Sequence, residues 1–212
     1  MVAAVIPAET LGTFFVASVL LGLAPGPDNI FVLTQSALYG RESGLAVMGG
    51  LCTGLIVHTA GVALGVAVIF RTSALAFTAL KLAGAGYLLY LAWQAFRAPA
   101  ANLGVTGNGP SGRLGLYRRG VIMNITNPKV SLFFLAFLPQ FTDPARGSLP
   151  VQVILLGMTF IAATILVFGG IALLAGTLGS WLQRSTTVQR GLNWLAGTVF
   201  LGLALTLLVA RR

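Results

Sequence analysis

Six apolar stretches punctuated by short polar runs follow one another along the chain, at about Leu11–Leu38, Leu45–Phe70, Ala74–Phe96, Leu116–Phe141, Leu149–Leu178 and Leu192–Ala210. No charged residue lies between Arg146 and Arg184, and from Leu45 to Phe70 the only ionisable side chains are Cys52 and His58. Both stretches exceed the roughly 20 apolar residues that cover a hydrocarbon core. The pattern predicts an all-α polytopic membrane protein with six transmembrane helices. No Lys or Arg precedes the first apolar run. That run therefore lacks the positive region of a cleavable signal and is expected to be kept as a span.

Two of the six stretches are interrupted. The first carries Pro25, Gly26, Pro27, Asp28 and Asn29; the fourth carries Asn124, Asn127, Pro128 and Lys129. A single offset sets Leu11 against Leu114, Pro25 against Pro128, and Leu45 against Ser148. Between the halves lies a Gly-, Pro- and Asn-rich segment that reads as the one long flexible connection. The expected organisation is a first three-helix repeat over residues 1–97, a connecting loop over 98–115 and a second repeat over 116–212. A unit with an odd number of spans re-enters the membrane upside down, so the duplication gives a 3+3 inverted repeat with broken first and fourth helices. Paired broken helices in such repeats point to a binding site near the midplane.

Proline removes an intrahelical donor and clashes with the preceding turn, so these breaks free backbone carbonyls inside the hydrocarbon region. Such groups must face protein or water. A restarted helix presents N–H groups suited to a carboxylate, and the freed carbonyls suit an ammonium. Together the two breaks could hold a zwitterion.

Composition agrees with membrane residence: 57% of the 212 residues are hydrophobic, 8% are charged, and mean hydropathy is +0.92. A net charge of +9 would suggest nucleic acid in a soluble protein. Here the cations spread over loops between apolar stretches and read as topology signals, so no nucleic-acid partner is expected. Seven loop arginines (41, 97, 113, 118, 119, 184 and 190) fall on one side of a six-span arrangement and four (71, 146, 211 and 212) on the other. The positive-inside tendency places the seven in the cytoplasm and both termini outside.

The acidic residues are Glu9, Asp28, Glu42 and Asp143, and of these only Asp28 falls deep within an apolar stretch. A charge there is expensive and functional by default, as an ammonium ligand or a proton-coupling group; the alternative is an N-cap of the restarted helix. Lys129 calls for a nearby anion, either Asp28 or a substrate carboxylate. His58 is either a proton relay or a histidine hydrogen-bonded between helices. Lys81 either snorkels to the surface or enters the cavity. Gly50, Gly54, Gly61 and Gly65 lie within about 60° on one helix and read as a packing stripe, within or between subunits, so a homodimer stays open. Tyr87, Tyr90 and Trp93 read as interface belt and core. The lone Cys52 allows no intrachain disulfide. One histidine, one cysteine and four acids leave little for a metal site or a membrane-embedded hydrolase, so neither enzyme activity nor a cofactor is expected.

The segments "PGPDN", "GGLCTGLIVH", "LKLAGAGYLLYLAW" and "MNITNPKVSLFFLAFLPQF", in that order, resemble the LysE/RhtB family of amino-acid exporters. The likeness is strongest from about residue 10 to 141 and only hydropathic beyond. It implies a multi-pass inner-membrane protein that moves amino acids out of the cytoplasm by proton-coupled antiport. Gly54 and Phe133 stand where basic amino-acid exporters of the family can carry an acid, which turns the expectation toward homoserine, threonine and other neutral amino acids. The competing readings are a cation or metal-ion exporter and a non-transporting assembly factor. The site residues expected are Pro25, Gly26, Pro27, Asp28, Asn29, His58, Lys81, Asn124, Asn127, Pro128 and Lys129.

Overall fold

The computed structural model describes residues 5–72, 74–98, 112–184 and 186–209, and every regular element among them is a helix. The first apolar stretch divides into α1 (Ala8–Leu23) and α2 (Pro27–Tyr39), which meet at 64°. Two long helices follow, α3 (Arg41–Thr72) and α4 (Ala74–Arg97). The fourth stretch divides again, into α5 (Arg113–Thr126) and α6 (Pro128–Leu132). The latter runs on through a π-helical turn at Phe133–Phe137 and a 3-10 turn at Leu138–Phe141, and this second pair bends by 50°. A 3-10 turn at Pro144–Arg146 leads to α7 (Leu149–Arg184) and α8 (Thr186–Val209).

The two breaks have one cause. A residue before proline is pushed out of the helical region. Accordingly Ala24, before Pro25, and Asn127, before Pro128, carry ψ of 120° and 108°, and Gly26, before Pro27, is fully extended. Pro27 and Pro128 then occupy the first position of the next helix, where a missing N–H costs nothing and the fixed φ favours a restart. The chain therefore stops and starts again within each stretch.

Three single helices are long and apolar enough to cross a membrane (Arg41–Gly65, Leu149–Ala175 and Thr187–Val209), and the number rises to five if each bent pair counts as one span. The third apolar stretch is helical as α4 but is not among these five. The expected connecting loop lies largely outside the described residues, and α5 begins at Arg113, inside the expected loop.

Helix α3 packs between α5 and α7, α4 lies along α8, and both halves of the first bent pair rest on α7. Lipid offers no hydrophobic drive between helices, so close approach depends on small residues. A Cβ on Gly50 would stand 2.1 Å from the Tyr117 carbonyl oxygen, and one on Gly54 would stand 2.6 Å from the Asn124 side chain. Gly61 and Gly65 have nothing within 4 Å, so only the first half of the expected glycine stripe is a packing surface among the described residues. At the centre a cluster of Phe14, Phe133, Phe134, Phe137, Phe141 and Phe160 joins α1, the π-turn and α7, with ring centroids 4.7 to 6.5 Å apart. Outward faces carry bare Leu64, Met158, Leu166 and Trp194, which suits a bilayer and no aqueous surface.

Candidate functional site

Each proline removes the donor that would have reached the carbonyl four residues earlier. Pro25 thereby frees the Leu21 carbonyl and Pro128 frees that of Asn124. Both are reclaimed by side chains from elsewhere in the fold. Lys129 Nζ donates to the Leu21 oxygen at 3.3 Å and to the Ala24 oxygen at 3.1 Å, so its ammonium closes the C-terminal end of α1. The Asn29 side-chain amide donates to the Gly22 carbonyl at 2.6 Å, closing another orphan of the same turn. On the other break, His58 Nε2 lies 3.2 Å from the Asn124 oxygen, which also receives the Asn127 backbone N–H at 3.1 Å. Facing a carbonyl, Nε2 is the donor and carries the hydrogen.

Asn127 ties the breaks together. Its side-chain oxygen accepts from the Lys129 backbone N–H at 3.0 Å, capping α6, while its side-chain nitrogen donates to Asp28 Oδ2 at 2.8 Å. Asp28, Asn124, Asn127 and Lys129 are all buried, at 3%, 3%, 5% and 8% exposure. A lysine at the centre of a span costs roughly 3 kcal/mol to insert. Two charge-assisted hydrogen bonds of about 1.5–3 kcal/mol each are enough to offset that. The opposite charge of Asp28 adds to the balance without touching: no direct Asp28–Lys129 ion pair is present among the described residues. In place of the direct pair considered from sequence, Asn127 joins Asp28 to the Lys129 backbone N–H, while the Lys129 ammonium is held by the Leu21 and Ala24 carbonyls. Asp28 is not the N-cap either, because Gly26 holds that position and Asp28 follows Pro27 in the first turn.

Three buried acceptor oxygens around the breaks have no donor: Asp28 Oδ1, Asn29 Oδ1 and Asn124 Oδ1. The region is therefore rich in unmet acceptors, while the first N–H groups of α6 are already taken by Asn127. Gly26 keeps the first break open to Lys129, since a Cβ there would stand 3.1 Å from Nζ.

Of the expected site residues, the structure thus gathers Gly26, Asp28, Asn29, Asn127 and Lys129 around the first break, with His58 and Asn124 at the second. His58 also lies against the Phe134 ring, 5.6 Å between centroids. Lys81 is half-buried on α4. Tyr87, Tyr90 and Trp93 run along α4 with neighbouring ring centroids 6.0 and 6.1 Å apart and Arg97 over Trp93; Tyr90 and Trp93 are exposed and Tyr87 is half-buried. The Leu21 and Ala24 carbonyls were not singled out from sequence; the signal was Pro25, whose missing N–H names Leu21 as the orphan. Phe133 is 1% exposed inside the phenylalanine cluster. No three His, Cys, Asp or Glu side chains converge among the described residues.

A separate cleft of about 540 Å³ opens at the N-terminal end of α1, lined by Glu9, Thr10, Thr13, Gln140, Asp143 and Arg146 among others. The Gln152 side chain bonds both the N–H and the C=O of Asp143, fixing one wall.

Comparison with known proteins follows the same lines. The chain is 35% identical over 198 residues to a homoserine/homoserine lactone efflux protein of Salmonella typhimurium, covering 93% of this chain and 95% of that protein. It is 34% identical over 198 residues to a membrane protein of Vibrio cholerae named only as uncharacterized, covering 93% and 96% of the two chains. No solved structure matches it. Residues 19–211 match the family described as LysE type translocator, and the chain belongs to that family of membrane transporters.

Proposed function

We propose that this protein exports neutral amino acids, homoserine foremost, from the cytoplasm across the inner membrane in exchange for protons, with its cargo bound where the two broken helices meet. The observation that carries the reading is the relay Asp28–Asn127–Lys129, which fastens the first break to the second and leaves acceptor oxygens unmet. A site made from both halves opens alternately to either side when the halves rock against each other. The efflux name of the Salmonella typhimurium relative supports this cargo and this direction. Six spans in two inverted three-helix units, with both termini outside, complete the arrangement. In that orientation the cleft at Glu9 and Asp143 is the outward vestibule.

The test loads cells expressing the chain with peptides that release homoserine, threonine, leucine or lysine and follows amino acids in the medium. Homoserine efflux is expected to rise with the wild type and to fall at least about tenfold in Asp28→Asn, the loss of one charge-assisted contact. Undiminished efflux in Asp28→Asn at matched membrane levels would move the site elsewhere. A phosphatase fused after Arg212, active only outside the cytoplasm, reads the orientation.

A further inference from the structure

The cleft at the N-terminal end of α1 is set apart from the breaks. Phe141, part of its lining, packs 5.1 Å from Phe14 and 5.0 Å from Phe137 between ring centroids, so the edge of the phenylalanine cluster forms its floor. Along α1, Phe14 follows the lining residue Thr13 and precedes Leu21 by about 10 Å of helix, so the cluster stands between the cleft and the first break. At about 540 Å³ the cleft has the size of a small-molecule site, for which roughly 300–1,000 Å³ is usual.

Much of the polar lining is already committed. The Gln152 side chain holds the N–H and the C=O of Asp143 at 2.8 Å each. Asp143 in turn accepts from the Ala145 N–H at 2.9 Å through Oδ1 and meets Arg146 Nε at 3.2 Å through Oδ2. The Thr13 and Thr142 hydroxyls donate to the carbonyls of Glu9 and Pro139. Two charged groups keep free valences among the described residues: the Glu9 carboxylate, and Arg146 through its terminal nitrogens. The Asp143–Arg146 pair is half-exposed on both sides, a setting in which an ion pair contributes little, so Arg146 is oriented by Asp143 without being used up.

One cleft thus offers an open carboxylate, an open guanidinium edge and an aromatic floor. A carboxylate accepts an ammonium, and the planar fork of arginine matches a carboxylate. We infer that the cleft is a second amino-acid site, taking neutral zwitterions with the ammonium on Glu9, the carboxylate on Arg146 and the side chain against Phe141 and Ile6. This site is additional to the one at the breaks and does not depend on it.

The experiment uses the full-length chain in lipid nanodiscs, in a Cys52→Ala background. Thr13 lines the cleft but spends its hydroxyl on its own helix, so Thr13→Cys places a reporter thiol there without removing a ligand group. Ala145 is exposed and does not line the cleft, so Ala145→Cys is the control. Saturating homoserine should slow alkylation at position 13 at least about threefold, and Asp28→Asn should leave that protection in place. Ethylammonium and propionate, each carrying half of the zwitterion, should need concentrations at least about tenfold higher, as should homoserine in Glu9→Gln or Arg146→Gln, the effect of one lost charge-assisted contact. No protection by homoserine, equal protection by either half-molecule, or protection that both charge variants leave intact would overturn the inference. Protection lost in Asp28→Asn at matched insertion would overturn it too, since the signal would then arise at the breaks. Protection at position 13 with none at a Gly26→Cys thiol would uphold the cleft site and remove the reading of the breaks instead.

Discussion

At the scale of single residues, the fold is decided by what a side chain leaves out. Pro25 and Pro128 each withhold one N–H, and the orphaned carbonyls of Leu21 and Asn124 recruit Lys129 and His58 from a distance. Glycine acts by the same logic of omission. Gly50 lets α3 touch the α5 backbone and Gly54 makes room for the Asn124 side chain, whereas Gly61 and Gly65 face open space. Gly50→Ala should therefore destabilise the protein by about 1–3 kcal/mol or more through forced separation of the helices. Gly61→Ala, with no atom within 4 Å of the new Cβ, should be neutral or slightly stabilising through helix propensity. Melting temperatures of the two variants in the same detergent check the contrast, and equal losses would sink it. The two halves of the stripe look alike in sequence because helical spacing reports which residues share a face and is silent on what that face meets.

At the scale of elements, the broken helices are the devices that make a polar site affordable in an apolar solvent. An uninterrupted helix satisfies its own backbone and offers nothing to a ligand. Pro25→Ala restores the N–H that reaches Leu21, so the first pair should straighten and compete with Lys129 for that carbonyl. Export should fall while thermal stability holds within about 1 kcal/mol, since a residue compatible with helix replaces one that breaks it. A variant that exports normally would show that the freed Leu21 carbonyl has no role in transport. Efflux assays paired with melting curves separate these outcomes. The breaks themselves were legible from sequence, because proline acts on its immediate neighbours and the offset between Leu11 and Leu114 carried the second break to the first. The partners were not. That Asn127, rather than Lys129, contacts Asp28 depends on how the start of α6 meets the start of α2, a tertiary register that local pattern does not encode.

At the scale of the whole molecule, two bent pairs are held by long helices: α7 supports both arms of the first, while α3 runs along α5 of the second. Their junction carries buried charge from both halves, and the phenylalanine cluster closes the space between α1, the π-turn and α7. The apolar stretches announced a helical membrane protein at once, since composition leaves few alternatives at a mean hydropathy of +0.92. The central claim, that cargo binds at the junction of the breaks, is tested most directly by protection of a cysteine placed there. In a Cys52→Ala background, Gly26→Cys sets a thiol beside Lys129 and Asn29, and Ala145→Cys sets a control on the exposed 3-10 turn at Pro144–Arg146. The account predicts that homoserine slows alkylation at position 26 several-fold and leaves position 145 unchanged. Alkylation at position 26 that proceeds at the same rate with saturating homoserine, in protein that still transports it, would contradict the account.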